Sequence, residues 1–131
     1  MTLGMNALWL IPTEVSDTPA PVSVIRLVLP QAEHISEEIA EAFAQRARAE
    51  AGGGLKPILL DITGVASISR GARAVLSRSR SASAIAVVGT SAVDRVLANF
   101  LLGGEPPPCP TRYFGDEDTA VAWLLERADD R

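Results

Sequence analysis

The turn between Gly64 and Gly71 contains the side chains of this sequence that are best suited to ligand binding. It follows a short apolar run and precedes a helical pattern, and open α/β sheets place ligands where a strand ends and a helix begins. The first N–H groups of such a helix attract anions, Arg70 and Arg73 add positive charge, and Ser69 adds a hydroxyl. The turn is therefore a candidate site for an anion or a partner protein. In the alternative interpretation, Ser69 only caps the helix and both arginines are solvated.

Nucleophilic catalysis at this turn is not expected, although the stretch Ser67-Ile68-Ser69-Arg70-Gly71 partly matches the nucleophile elbow G-x-S-x-G. The first glycine is missing, and the elbow requires its serine at the strand end, whereas Ser69 lies six residues beyond Thr63. His34 is the only histidine, and it precedes the serine. Asp61 lies in the apolar run, where we expect it to accept backbone N–H groups, and no second acid lies nearby for acid–base catalysis. We therefore expect that the protein is not an enzyme.

The other reactive side chains are interpreted as structural. His34 is expected to be a polar surface residue, and Cys109, which has no flanking base, an unreactive thiol. Residues 77–81 are rich in arginine, but no aromatic residues interleave with them for base stacking. A charged outer helix face is therefore predicted, and no nucleic-acid partner. One histidine and one cysteine are too few ligands for a structural zinc site, and no phosphate-binding glycine motif occurs, so neither a metal nor a cofactor is expected.

Length and composition favour one folded domain over residues 1–131. The chain is 47% hydrophobic and 21% charged, and its net charge is −4, which argues against a dedicated polyanion-binding protein. No apolar run approaches the roughly 18 residues that a membrane span requires. No lysine or arginine precedes Arg26, so the apolar start lacks the basic region of a secretory signal. A cytoplasmic location is expected.

The pattern of apolar residues predicts alternating strands and helices. Strands are predicted over residues 5–11, 22–29, 57–63, 84–89 and 111–114, with the first two paired as an antiparallel hairpin. Helices are predicted after Ser36, over residues 70–80, after a capping box of Ser91 and Asp94, and from Asp116 to Ala128. The order β-β-α-β-α-β-α-β-α predicts an α/β domain with a mixed, mainly parallel sheet and about four helices. Runs 57–63 and 84–89 are expected to be parallel neighbours.

Helical spacing also predicts which side chains face the core. The helix after Ser91 is expected to bury Val93, Val96, Leu97, Phe100 and Leu101, and the last helix to bury Val121, Leu124, Leu125 and Ala128.

Two tryptophans are interpreted as candidate interface residues. Trp123 lies about 100° around the last helix from Leu124, on its flank, and tryptophan is enriched at interface hot spots. In the alternative interpretation, its indole covers a neighbouring helix. Trp9 belongs to the apolar first strand, and exposed apolar edges tend to recruit another chain. We therefore expect a homodimer.

The stretch Leu60-Asp61-Ile62-Thr63-Gly64-Val65, together with the element order, resembles the STAS family, which includes the SpoIIAA-like anti-sigma-factor antagonists. Members of that family typically carry Leu-Asp-Leu-Ser-Gly-Val there, then an apolar residue, an aspartate and a phosphorylatable serine that begins the next helix. This chain has Ser69 in place of the aspartate and Arg70 in place of the serine. Residues 112–124 are also similar to the last strand and helix of bacterial relatives.

The resemblance implies a divergent bacterial member of this family. Such a member is a non-catalytic regulatory or protein–protein interaction module, and the two substitutions imply that its phosphoswitch is lost. The residues expected to contact a partner or an anion are Asp61, Gly64, Ser69, Arg70, Gly71 and Arg73. The alternative is a protein that binds a small anionic or apolar ligand at the same turn.

Overall fold

Strands and helices alternate along the chain in a computed structural model, which describes residues 24–78, 81–103 and 109–129. The strands are β1 (Ile25–Val28), β2 (His34–Ile35), β3 (Lys56–Asp61), β4 (Ser67–Ile68), β5 (Ala82–Val88) and β6 (Thr111–Phe114). The helices are α1 (Glu37–Ala51), α2 (Arg70–Arg78), α3 (Ala92–Leu102) and α4 (Glu117–Asp129). None of these helices is long and apolar enough to cross a membrane.

A parallel sheet of four strands, in the order β1-β3-β5-β6, forms the centre of the fold. The central strand β3 pairs in parallel with β1 on one side and with β5 on the other, which confirms that the two apolar runs are parallel neighbours. The α/β fold predicted from the sequence is confirmed. Its proposed antiparallel hairpin involves residues 5–11, which include Trp9 and lie outside the described residues.

Both faces of the sheet are covered, and successive residues of a strand face opposite sides. Ile58 and Leu60 pack against α1, α2 and α3 in one apolar cluster, whereas Leu59 packs against α4 in a second. Strand β5 divides in the same way, with Val87 in the first cluster and Val88 in the second. This arrangement explains why β3 reads as a continuous apolar run, since a strand covered on both faces has no solvent-facing positions.

The predicted starts of α1, α3 and α4 are confirmed. Ser36 caps α1 by accepting the N–H of Ile39, and the left-handed Gly52 ends the helix by donating its N–H to the Arg48 carbonyl. Ser91 and Asp94 form a reciprocal capping box at the start of α3. Asp116 accepts the N–H of Thr119 at the start of α4.

The predicted inward faces of two helices are partly wrong. In α3 the buried residues are Asp94, Ala98 and Leu101, whereas Val93 and Val96 are 60% and 65% exposed. Asp94 turns inward because its carboxylate bonds to backbone groups of two loops, and the helix rotates with it. In α4, Leu124 is buried as predicted, but Leu125 is 39% exposed.

Candidate functional site

Asp94 joins the two loops that leave the carboxyl ends of the central strands. Its Oδ2 accepts the backbone N–H groups of Thr90, at 2.8 Å, and of Ser91, at 3.1 Å, in the loop after β5. Its Oδ1 accepts the N–H of Gly64, at 3.1 Å, in the turn after β3. The side chain therefore fixes the start of α3 relative to the turn that the sequence identified as a candidate site.

The electrostatic state of Asp94 follows from these bonds. Burial on its own would raise the pKa of this carboxyl, which is only 1% exposed. The hydrogen bonds from Thr90, Ser91 and Gly64 outweigh burial, and the pKa is lowered below its usual value. The ionised form of Asp94 is thus favoured by backbone N–H groups, and both of its oxygens accept hydrogen bonds that hold the two loops together.

The turn itself is held by a loop that lies across it. Gly64 has a φ of 77°, a left-handed conformation that favours glycine, and its carbonyl accepts the N–H of Ala32 at 2.7 Å. The side chain of Gln31 would be 3.4 Å from a Cβ at Gly64. The loop between β1 and α1 therefore covers part of the candidate site.

The N-terminus of α2 is already partnered within the chain. The Ser69 Oγ accepts the N–H of Ala72 at 2.9 Å and thus caps the helix. A Cβ built at Gly71 would lie 2.6 Å from Oε1 of Glu37, so the Glu37 carboxylate lies against the first turn of α2. This negative charge would repel an anion at the start of α2, and it complements the positive end of the helix dipole.

The two candidate arginines lie in different surroundings. Arg70, the first residue of α2, is exposed. The guanidinium of Arg73 lies 4.4 Å from the centroid of the Phe100 ring, and its Nη1 donates to the Phe100 carbonyl at 3.3 Å. Arg73 therefore connects α2 to the C-terminal turn of α3, away from the helix start.

Asp61 lies at the end of β3, and its Oδ1 accepts the N–H of Thr63 at 2.9 Å. The expectation that this carboxylate binds the following turn is confirmed. Asp61, Gly64 and Ser69 thus organise the turn through the backbone.

The contact between His34 and Ser67 was missed by the sequence analysis. Strands β2 and β4 pair in parallel with these two residues in register, and Nδ1 of His34 lies 2.6 Å from the Ser67 Oγ. An imidazole beside a hydroxyl can serve as its base. No carboxylate hydrogen-bonds to the imidazole within the described part of the chain, so the third member of a catalytic triad is missing there. The contact ties the covering loop to the turn.

The indole of Trp123 is partly buried against the fold. Its ring centroid lies 5.4 Å from that of Phe114, and the guanidinium of Arg127 lies 5.3 Å from the indole.

Cys109 is half-buried, and burial raises the pKa of its thiol.

Two cavities lie near α1, and neither is lined by residues of the turn from Gly64 to Gly71. An apolar cavity of about 30 Å³ lies between α1 and the sheet, where Leu27, Ala44 and Leu60 are among its lining residues. A groove of about 500 Å³ lies along the outside of α1 and is lined by Glu37, Glu38, Glu41, Ala42 and Gln45. Within the described ranges, no group of three or more His, Cys, Asp or Glu side chains is placed to hold a metal ion.

Comparison with known protein families and solved structures supports the fold assignment. The family model of DUF7793, a domain of unknown function, matches residues 23–127. An uncharacterised DUF3478 protein from Shewanella loihica PV-4, which has a SpoIIAA-like fold, is 21% identical with a TM-score of 0.50, and the match covers 92% of this chain and 99% of that one. A protein of unknown function from Arthrobacter sp. FB24 is 42% identical over 77% of this chain and 90% of its own, with a TM-score of 0.31. None of the curated proteins matches this chain. The fold is SpoIIAA-like, as the sequence resemblance predicted.

Proposed function

Because this chain belongs to the DUF7793 family and has a SpoIIAA-like fold, we propose that it is a non-catalytic regulatory module that acts by binding another protein. A cytoplasmic location is part of this proposal. The binding surface includes the turn from Gly64 to Gly71 and the adjoining outer face of α3.

The observation that carries the proposal is the exposed pair of valines on α3. Val93 and Val96 lie one helical turn apart and are both more than half exposed. Asp94, between them, hydrogen-bonds to the N–H of Gly64, so the valines and the turn are held in a fixed relation. Apolar side chains exposed together on a rigid element are a feature of surfaces that bind other proteins.

The proposal treats the phosphoswitch of STAS domains as lost. The position of the usual acceptor is held by Arg70, whose guanidinium cannot accept a phosphate. Ser69, the substitute one residue earlier, uses its oxygen to cap α2. The module would then bind its partner without being switched at this position.

A small ligand at the turn is the weaker alternative. The Glu37 carboxylate beside Gly71 opposes an anion there. The apolar cavity under α1 has about 30 Å³, whereas ligand pockets usually have roughly 300 to 1,000 Å³. The groove of about 500 Å³ outside α1 is large enough, but its three glutamates oppose an anion, and Ala42 is the only apolar residue among its described lining.

We also propose that the protein is a homodimer. Strand β1 has β3 as its only partner strand among the described residues, and the preceding chain contains an apolar run with Trp9. Light scattering at micromolar concentration is expected to report twice the chain mass of 13.8 kDa. A mass of one chain would contradict the dimer but leave the binding of another protein open.

Site-specific photo-cross-linking in the native bacterium tests the proposed function. A photoreactive residue in place of Val96 is expected to form a cross-link to a different protein, because this side chain lies at the proposed interface. The matched control is Ala49, an exposed residue on α1, where no such product is expected. A second photoreactive residue in place of Arg70 samples the turn. The proposal is wrong if both positions give only the products that the Ala49 control also gives.

A further inference from the structure

The loop between β1 and α1 crosses the candidate site as a short exposed segment that is fixed at both ends. Leu29 and Ile35 are completely buried, at 0% exposure, whereas every residue from 31 to 34 is exposed. We refer to residues 31–34 as the strap and to the two buried residues as its anchors. Because none of the strap's side chains is buried, the strap can lift from the surface while the anchors and the core stay in place.

The strap is held against the turn mainly by backbone hydrogen bonds. The N–H of Ala32 donates to the Gly64 carbonyl at 2.7 Å. The carbonyl of Glu33 accepts the N–H of Ala66 at 3.0 Å. The imidazole of the strap also contacts the Ser67 hydroxyl. One carbonyl, one N–H and one hydroxyl of the turn are therefore engaged while the strap is closed, and all three become free when it lifts.

The backbone of Ala32 makes the closed position of the strap costly. Its φ is 61°, and in the described part of the chain it is the only residue other than glycine with a positive φ. This left-handed conformation is unfavourable for a residue that carries a Cβ. Residues held in such conformations are concentrated at binding sites and at segments that switch conformation. Opening the strap releases this strain, because Ala32 can then return to a negative φ.

We infer that the strap opens locally between its anchors, and that the partner protein binds the turn only when the strap is open. A partner that uses the Gly64 carbonyl or the Ala66 N–H competes with the strap for them. The apparent affinity for the partner is then reduced by the fraction of molecules in which the strap is open. The closed strap is thus a built-in inhibitor of the site, and the inference rests on the proposed function and adds its regulation.

Amide hydrogen exchange measured by NMR tests whether the strap opens on its own. The N–H groups of Ala32 and Ala66 lose their acceptors when the strap lifts, whereas those of Leu29 and Ser69 bond at the anchors and stay protected. After correction for intrinsic rates, we expect the first pair to exchange more than about tenfold faster than the second. Equal protection of the two pairs would show that the strap opens only when the domain unfolds, and would overturn the inference.

Two substitutions of Ala32 should shift the opening in opposite directions. Ala32→Gly removes the Cβ that disfavours the closed conformation, so the exchange of the Ala66 N–H should slow by about fivefold. Ala32→Val adds a β-branched side chain at a positive φ, so the same exchange should accelerate by about tenfold. Since Ala32 is exposed, neither variant changes a core contact, and the rates at Leu29 and Ser69 should stay constant. Equal changes at all of these amides, or no change at any, would overturn the inference.

The same variants test whether the opening controls binding. With the photoreactive residue in place of Arg70, Ala32→Val should raise the yield of the cross-link to the partner severalfold, and Ala32→Gly should lower it. Equal yields with all three residues at position 32 would overturn the control by the strap and leave the proposed function intact. The absence of a specific product from every variant would contradict the proposed function, and the control by the strap with it.

Discussion

Replacing Asp94 with alanine is expected to lower the free energy of unfolding by about 3 kcal/mol, since N–H groups left without a partner each cost roughly 1 to 3 kcal/mol. The N–H groups of Gly64, Thr90 and Ser91 all lose their acceptor in this variant. Such a loss is a large part of the roughly 5 to 15 kcal/mol that stabilises an ordinary domain. Chemical denaturation followed by circular dichroism measures it.

Asp116 provides the matched control, because it is also an aspartate that caps a helix. Its side chain accepts hydrogen bonds from Thr119 at the exposed start of α4, so Asp116→Ala should cost clearly less than Asp94→Ala. Equal losses in the two variants would show that Asp94 acts only as a local cap and does not join the loops.

The stabilisation by Asp94 should depend on pH in a defined direction. The folded-state pKa lies below the usual value, so the ionised carboxylate contributes its stability above about pH 4 and loses it as the pH falls through the folded-state pKa. The stability difference between the natural protein and Asp94→Asn should therefore be constant from neutral pH to about pH 5 and should narrow below pH 4. A difference that widens in acid would contradict the lowered pKa.

Replacing Gly89 with alanine is expected to cost about 2 kcal/mol, the usual scale for overpacking a buried site. The added Cβ would lie 2.5 Å from the Asp94 Cβ and 3.1 Å from the Tyr113 hydroxyl. Asp94 cannot move away without lengthening its bonds to the two loops, so the start of α3 must shift. A lower melting temperature, together with amide shifts at Gly64, would be the observed result.

Gly115 offers the control for this substitution. A Cβ at that position meets nothing within 4 Å, and its backbone is not left-handed. Gly115→Ala should therefore leave the melting temperature nearly unchanged. If Gly89→Ala is as well tolerated as Gly115→Ala, the close packing of Asp94 against Gly89 is not important for stability.

Elements whose causes are local could be predicted from the amino-acid sequence. Ser36 and the Ser91–Asp94 pair act on N–H groups within three residues of their own positions, and such caps are visible as short patterns. The apolar runs of β3 and β5 required a sheet covered on both faces, and the helices between them required parallel pairing. The turn at Asp61 and Gly64 could also be located, because it lies where an apolar run ends and a helical pattern follows.

The rotation of α3, and with it the surface beside the candidate site, depends on contacts between distant parts of the chain. The helical spacing of apolar residues predicted that Val93 and Val96 face the core. Nothing in that pattern indicates that a carboxylate in the same helix is buried. The N–H of Gly64 supplies the reason for its burial from thirty residues away in the chain, and the contact between His34 and Ser67 spans a similar separation. Hydrogen bonds between segments so distant leave no periodic pattern in the sequence. The exposed valines therefore follow from where the folded chain places the Asp94 carboxylate.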